Sequence, residues 1–149
     1  SGIKSVGVFV DETLEYVYNT SKILELDVIQ FHGSEDEEYM KYFNEFTIWK
    51  ALKVKCREDI LNLNYKYADG IVLDNKTAGS GKCFDWDIAR DIKIRKDLIL
   101  AGGINEENVE TAVNIVNPSI VDVSSGVESQ EYKDSNKIKM FIEKVRNIK

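Results

Sequence analysis

The sequence is poor in cysteine, histidine, proline and long apolar runs, and these shortages exclude several classes of protein. Two cysteines, Cys56 and Cys83, are too few for a disulfide framework or a zinc site, so we expect reduced thiols, a cytoplasmic location and no metal. No run approaches the roughly 18 apolar residues of a membrane-spanning helix, and the first residues lack the basic and apolar regions of a secretion signal. We therefore expect no membrane contact.

Positive charge is also in the minority, with 20 Lys and Arg against 26 Asp and Glu and a net charge of -6. An acidic surface of this kind disfavours nucleic acid as a partner, so an anionic ligand would have to be held by local geometry. A chain of 149 residues that is 43% hydrophobic fits a single domain over residues 1–149, because it can bury a sizeable core.

Six short runs rich in β-branched residues are spaced along the chain, and a helical pattern follows each of them. The predicted strands are residues 6–10, 27–31, 47–54, 70–74, 98–101 and 119–123. We expect Asp11 to cap the first helix, Ser34 and Glu37 to form a capping box in the second, and Asn105 to begin the fifth. Strands that alternate with helices predict an α/β protein with a parallel sheet.

Such a sheet either stays open and doubly wound or closes into a (βα) barrel, and the placement of polar residues favours the barrel. Polar and small residues gather at the C-terminal ends of the predicted strands, where barrel enzymes hold their chemistry. The G-x-G-x-x-G turn of a dinucleotide-binding open sheet is not in the sequence. Because a TIM barrel has eight βα units, six predict an incomplete barrel.

The last two predicted strands end in the turns "AGGINEENV" and "VDVSSGVES". Small residues at such turns let backbone N–H groups approach an anion, and the loops after the last two strands are the usual phosphate site of barrels. Each turn alone could be a tight connection or a polar loop. Their consecutive placement favours a phosphate site made by Gly102, Gly103, Ser124, Ser125 and Gly126.

Asp74 ends an otherwise apolar strand, "IVLD", and should therefore be partly desolvated, which suits a general acid. A helix-capping or salt-bridged aspartate is the alternative. The loop that follows, residues 75–83, is long and rich in small residues, as lids at a barrel mouth are.

Three further polar residues lie at strand ends. Gln30 and His32 alternate on one face of the second strand, and we expect them to contact substrate or support residues that do, rather than to transfer protons. A structural role for the single histidine is the alternative. Asp122 shares a strand face with Ser124 and could bind a sugar hydroxyl or orient the loop.

In their order and spacing, these segments resemble the phosphoribosylanthranilate isomerases of tryptophan biosynthesis. The matching motifs are "VGVFVDE", "LDVIQFHG", "IVLDN", "GSGKCFDW", "LAGGINEENV", "VDVSSGVES" and "KIKMFIEKVR". The resemblance implies a (βα)8 barrel that performs, without a cofactor, the Amadori rearrangement of N-(5-phosphoribosyl)anthranilate to 1-(2-carboxyphenylamino)-1-deoxyribulose 5-phosphate. It makes Asp74 the acid, places the phosphate on the "GG" and "SSG" turns, and puts Gly81 in the substrate loop.

The sequence departs from the family at its first two units. The family's general base is a cysteine in a Lys-x-Cys-Gly motif on the first strand, and an arginine after the second strand holds the anthranilate; neither motif is present. The chain begins at what resembles the third strand. We therefore expect impaired activity from this chain, with Cys83 a better substitute base than Cys56.

The missing units should also leave the sheet open. Strands near Val6 and Val121 would expose unpaired edges, which predicts self-association or complementation by another polypeptide. Two other functions stay open: a sugar-phosphate-binding scaffold without turnover, and another phosphate-binding barrel enzyme, such as an epimerase or indole-glycerol-phosphate synthase. The run of motifs disfavours the second of these.

Overall fold

The computed structural model describes residues 2–60, 63, 65–74, 85–90 and 92–148. Six strands form one sheet in chain order, and the pairs β1/β2, β2/β3 and β5/β6 are parallel. The strands are β1 (Val6–Phe9), β2 (Val28–Phe31), β3 (Thr47–Lys53), β4 (Gly70–Asp74), β5 (Asp97–Leu100) and β6 (Ile120–Val121). The prediction of an α/β protein with six strands in a parallel sheet is confirmed. A two-stranded antiparallel hairpin, β7 (Glu128–Ser129) and β8 (Tyr132–Lys133), follows β6.

Helical structure follows every strand of the large sheet, but its length varies. The α-helices are α1 (Leu14–Ile23), α2 (Glu37–Met40), α3 (Val109–Val116) and α4 (Ser135–Asn147). After β3 and β4 the described residues form single 3-10 turns, Arg57–Ile60 and Trp86–Ala89, and Cys56 lies just before the first of these. No helix in the described ranges is long and apolar enough to cross a membrane.

The first predicted cap is wrong, because the side chain of Asp11 makes a contact distant in sequence. Thr13 caps α1, with its hydroxyl oxygen accepting the Tyr16 N–H at 3.3 Å. Asp11 instead takes a left-handed backbone conformation, φ 52°, which aspartate tolerates better than most residues. Its carboxylate accepts the N–H of Ser34 at 2.6 Å, and so joins the loop after β1 to the loop after β2.

The capping box predicted for Ser34 and Glu37 is also wrong. Asp36 is the N-cap of α2, and its carboxylate accepts the Tyr39 N–H at 2.8 Å. The Glu37 carboxylate accepts the N–H of Lys66 at 2.7 Å, in the segment before β4. Its second oxygen accepts the Tyr67 N–H at 3.3 Å, so both carboxylate oxygens of Glu37 are directed away from its own helix.

The chain forms two compact units, each with its own core. The first comprises Ser1–Leu52 and Leu63–Val72, and its core contains Phe31, whose ring packs edge-on against Tyr39 with centroids 5.4 Å apart. The second comprises Lys53–Asn62 and Leu73–Lys149. Its fully buried side chains include Leu73, Ile99, Leu100, Val109 and Ala112 from β4, β5 and α3, together with Val54 and Ala89 from outside these elements.

Candidate active site

The second unit brings the C-terminal ends of β4, β5 and β6 to one edge of the sheet. The Ala101 N–H donates to the Leu73 carbonyl oxygen at 2.9 Å, and the Asp122 N–H donates to the Leu100 carbonyl oxygen at 2.8 Å. These bonds place Asp74, the turn after Ala101, and Asp122 beside one another at successive strand ends. Asp74 is half-buried, as predicted, whereas Asp122 is exposed and lies just beyond β6.

The turn after β5 requires glycine for its backbone conformation. Gly102 and Gly103 have φ angles of 77° and 72°, in the left-handed region that side chains with a Cβ disfavour. A Cβ at Gly103 would meet nothing within 4 Å, so conformation rather than space selects glycine there. The Asn108 side chain holds the turn by donating from Nδ2 to the Gly103 carbonyl oxygen at 2.9 Å.

Asn105 and Asn108 cap the helical turn that leads into α3. The Asn105 Oδ1 accepts the N–H groups of Glu107 and Asn108 at 2.9 and 3.1 Å, and the Asn108 Oδ1 accepts the Asn105 N–H at 2.9 Å. This reciprocal pair is an amide version of the capping box. Asn105 therefore caps the turn at residues 106–108, but α3 itself begins at Val109 with Asn108 in the N-cap position, so the start predicted at Asn105 is three residues early. The Asn-x-x-Asn spacing is a signal from which the reciprocal pair could have been found.

The turn after β6 packs directly on the turn after β5. Ser125–Val127 forms one 3-10 turn, and Gly126 lies so close to the preceding loop that a Cβ would overlap the Ile104 carbonyl oxygen and crowd Asn105. Close approach, rather than a positive φ, accounts for glycine at this position. The two turns proposed as a phosphate site are thus in contact.

A lysine that the sequence patterns did not single out supports this second turn. Lys133 Nζ donates to the carbonyl oxygen of Ser124 at 2.9 Å and to its hydroxyl at 3.1 Å. The same ammonium group pairs with the Glu128 carboxylate at 2.6 Å, across the β7/β8 hairpin. Because these contacts depend on how the hairpin folds back, periodicity gives no signal for them.

In the first unit, Gln30 and His32 lie side by side on β2 and the residue after it. Gln30 Nε2 and His32 Nδ1 are 3.2 Å apart, which confirms that the two side chains share a face. Gln30 is 4% exposed and His32 is half-buried. Their contact gives the histidine at least one structural partner.

A buried ion pair, also unanticipated, joins the loops after β1 and β2 to the middle of β3 in the first unit. Glu35 and Lys50 have side chains 2% and 5% exposed, and Lys50 Nζ lies 2.9 Å from Glu35 Oε2. The Glu35 carboxylate also accepts the N–H groups of Asp11 and Gly33 at 2.8 and 2.9 Å. Burial by itself raises the pKa of Glu35, but the hydrogen bonds from Lys50 and Asp11 outweigh it and hold that pKa below its ordinary range.

Of the two cysteines considered as a substitute base, only Cys56 lies among the described residues, and its thiol is poorly suited to act as a base. The loop 75–83, with Gly81 and Cys83, lies outside the described residues. Cys56 is exposed and free, and its hydrogen bond to Glu58 raises the pKa of its thiol, which disfavours the thiolate. Among the described residues, no group of three or more His, Cys, Asp or Glu side chains is arranged to hold a metal ion.

The model of the N-(5'-phosphoribosyl)anthranilate (PRA) isomerase family matches residues 1–144. The chain belongs to this isomerase family. An N-(5'-phosphoribosyl)anthranilate isomerase of Clostridium kluyveri is 91% identical over 149 residues, which are 100% of this chain and 75% of that protein. The isomerase of Thermoanaerobacter sp. strain X514 is 47% identical over 151 residues, covering 99% of this chain and 74% of that protein.

Solved isomerase structures share the fold. The phosphoribosyl anthranilate isomerase of Thermotoga maritima superposes with a TM-score of 0.87 at 40% identity, covering 97% of this chain and 73% of that one. A second crystal structure holds reduced 1-(o-carboxyphenylamino)-1-deoxyribulose 5-phosphate, and gives a TM-score of 0.81 at 37% identity over 97% of this chain and 72% of the other. The resemblance in the motifs is confirmed, and the chain spans about three quarters of these isomerases.

Proposed function

We propose that this chain provides the general acid and the phosphate site of a phosphoribosylanthranilate isomerase, which converts an aminoaldose phosphate to an aminoketose phosphate in tryptophan biosynthesis. The observation that supports this most is the juxtaposition, in the second unit, of Asp74 with the Gly102–Gly103 turn and the Ser124–Gly126 turn. A carboxylic acid beside two contacting backbone turns suits a substrate that carries a phosphate at one end and a ring to be opened.

Asp74 would act first, by protonating the ring oxygen of the ribose. The bond between that oxygen and the anomeric carbon breaks, while the anthranilate nitrogen lone pair forms a carbon–nitrogen double bond. A base then removes the proton from the adjacent carbon, and the resulting enol relaxes to the ketone. Atoms and electrons balance within the substrate, so this sequence of steps consumes no cofactor.

The small-residue turns would hold the phosphate, with Asp122 on a ribose hydroxyl. Gly102, Gly103 and Gly126 allow close approach of backbone N–H groups, and Ser124 and Ser125 add hydroxyl donors. In the same proposal Gln30, His32 and Gly81 contact the rest of the substrate. A net charge of -6 makes such local donors necessary for an anionic ligand.

The general base is the part that these 149 residues do not supply in the family's form, since they contain no Lys-x-Cys-Gly motif. We propose that residues 1–149 correspond to βα units 3 to 8 of a (βα)8 barrel, and that they turn over substrate poorly alone. The base would come from a further polypeptide segment or, less directly, from Cys83. The free thiol of Cys56 suits a reducing compartment such as the cytoplasm.

The edge strand β1 would be where that further polypeptide, or a second copy, pairs. β1 stands at the end of the strand order, and Val6, Val8 and Val10 are 40%, 57% and 57% exposed. Apolar side chains on an unpaired strand edge favour association with another strand. We propose self-association or complementation through β1.

Complementation tests the proposed activity. The chain would be mixed with the quarter of the C. kluyveri isomerase that it does not match, and the decay of N-(5-phosphoribosyl)anthranilate fluorescence followed. We expect little decay with either piece alone, turnover on mixing, and none when Asp74→Asn replaces the parent chain. Turnover by Asp74→Asn equal to that of the parent chain would show that Asp74 is not the general acid.

A second candidate function is sugar-phosphate binding without turnover. The lack of a Lys-x-Cys-Gly motif favours it for this chain alone. It predicts that the mixture binds the reduced product but never consumes N-(5-phosphoribosyl)anthranilate, whatever the ratio of the two pieces.

A further inference from the structure

We propose that Lys133 is a positioning residue for the phosphate, acting through Ser124; this inference rests on the proposed function. None of the sequence patterns or the resemblance pointed to Lys133. Its ammonium group reaches both polar groups of Ser124, the carbonyl oxygen at 2.9 Å and the hydroxyl at 3.1 Å. One side chain therefore fixes the main chain and the side chain of the same residue.

The bond to the Ser124 carbonyl oxygen controls the direction of the next N–H group. A trans peptide unit is planar, and its C=O and N–H point in opposite directions. Holding the Ser124 carbonyl toward Lys133 therefore aims the Ser125 N–H away from the hairpin. The same carbonyl oxygen accepts the Val127 N–H at 3.3 Å, so the lysine and the 3-10 turn act on one peptide plane.

Contacts within the β7/β8 hairpin and from α4 hold Lys133 and its partner Glu128 in position. Glu128 and Lys133 are directly paired residues of the β7/β8 hairpin, and the carboxylate of Glu128 lies 2.6 Å from Nζ. The Glu128 backbone carbonyl in turn accepts Lys137 Nζ at 2.6 Å, from α4. Since Glu128 neutralises the lysine charge at close range, the contribution of Lys133 to anion binding is one of geometry more than of long-range attraction.

The packing of the two turns explains why this geometry matters. There is no space for a Cβ at Gly126 against Ile104 and Asn105, so the packing of the Ser124 turn on the neighbouring loop is tightly constrained on this side. On its other side the turn is exposed at Ser124 and Ser125. Lys133 constrains that exposed side. Without the lysine, the turn would lose conformational entropy when it became ordered around the phosphate, and binding would be weaker.

The probe for the test is reduced 1-(o-carboxyphenylamino)-1-deoxyribulose 5-phosphate, titrated calorimetrically into the full chain. Lys133→Met should weaken its binding about tenfold, the size expected for losing a hydrogen bond to a charged group. Lys139→Met is the matched control, because it removes the same charge from an exposed lysine whose carboxylate partner, Glu143, is 3.9 Å away. The control should bind within about twofold of the parent.

Amide hydrogen exchange without ligand gives a second readout that a simple charge effect would not move. Lys133→Met should speed exchange of the Ser125 and Gly126 N–H groups and leave the α3 amides unchanged. The Lys133 side chain is 52% exposed, so its removal should leave the core folded; Lys133→Gln serves if the methionine variant aggregates.

The outcomes separate the two proposals. If the parent binds the probe, and Lys133→Met binds it with the same affinity and shows the same amide exchange, the role of Lys133 is overturned. The proposed phosphate site is then unaffected. Equal weakening by Lys133→Met and Lys139→Met also overturns it, because net charge would then explain the loss. A parent chain that binds no probe, while Lys133→Met still exchanges faster, overturns the proposed function and leaves Lys133 with a structural role only.

Discussion

A single buried carboxylate does more in the first unit than its place in the sequence suggests. Glu35 accepts hydrogen bonds from the N–H groups of Asp11 and Gly33 and from Lys50 Nζ, so it ties the loops after β1 and β2 to β3. The sequence shows only a glutamate in an acidic loop beside "FHG". Its burial follows from the left-handed bend at Asp11 and from Lys50 lying across the sheet, which no local pattern encodes.

Removing this carboxylate should destabilise the protein strongly. Glu35→Gln leaves the Lys50 ammonium buried without its counter-charge, and breaking one partner of a buried pair typically costs about 3–5 kcal/mol. Urea unfolding followed by circular dichroism measures the loss. Glu38→Gln, which removes an exposed carboxylate 3.7 Å from Lys41, should change stability by less than about 0.5 kcal/mol. A loss as small for Glu35→Gln would contradict the buried pair.

The stabilisation by Glu35 should also depend on pH in a definite direction. Its pKa in the folded protein lies below the ordinary value of 4.5, so the stabilisation is complete above the pKa of the unfolded state and disappears as pH falls through the folded value. The difference in unfolding free energy between parent and Glu35→Gln should be constant from pH 7 to about pH 5 and shrink below that. A difference in unfolding free energy that grows as the pH falls would show that the pKa of Glu35 is not lowered in the folded protein.

Among the secondary-structure elements, the strands could be predicted from the sequence more accurately than the helix caps. Runs such as "VIQF" and "GIVLD" combine β-branched residues with burial, and all six predicted strands are present to within two residues at each end. The caps at Asp11 and Glu37 failed because both side chains satisfy backbone donors far away in sequence. Asn105 does accept N–H groups of its own turn, because its partner Asn108 is local, but α3 begins only at Val109.

The two turn glycines should respond differently to alanine. Gly103→Ala meets open space, so only the left-handed φ is strained, and we expect a loss of about 1–2 kcal/mol in unfolding free energy. Gly126→Ala must push the Ile104 backbone away, which should cost more stability and also weaken binding of the reduced product. Thermal unfolding and calorimetric titration of both variants make the comparison. Equal behaviour of the two variants would show that the turns do not pack as described.

For the whole molecule, the motifs sufficed to identify the family, and the parallel sheet followed from the alternation of strands with helices. Alternation alone does not give the order of strands in the sheet, because a doubly wound sheet alternates in the same way. The candidate residues Asp74, Gly102, Gly103 and Ser124 come together in one unit because parallel strands bring their C-terminal ends to one edge. Lys133 could not be found this way, because its position depends on a hairpin that interrupts the strand–helix alternation.

The association proposed through β1 makes a prediction for residues 1–149 in solution. Val8→Lys places a charge in the middle of the apolar edge, where Val8 is 57% exposed, and charged residues on edge strands oppose pairing. Sedimentation velocity should show a concentration-dependent larger species for the parent chain and mainly the monomer for Val8→Lys. A parent chain that stays monomeric at all concentrations would contradict self-association through β1.

Calorimetric titration of the parent chain with reduced 1-(o-carboxyphenylamino)-1-deoxyribulose 5-phosphate is the measurement to make first for the proposed phosphate site, because binding does not require the general base. We expect saturable binding to one site per chain, retained in Asp74→Asn and competed by excess inorganic phosphate. Absence of binding, or binding that phosphate does not displace, would contradict a phosphate site at the Gly102–Gly103 and Ser124–Gly126 turns.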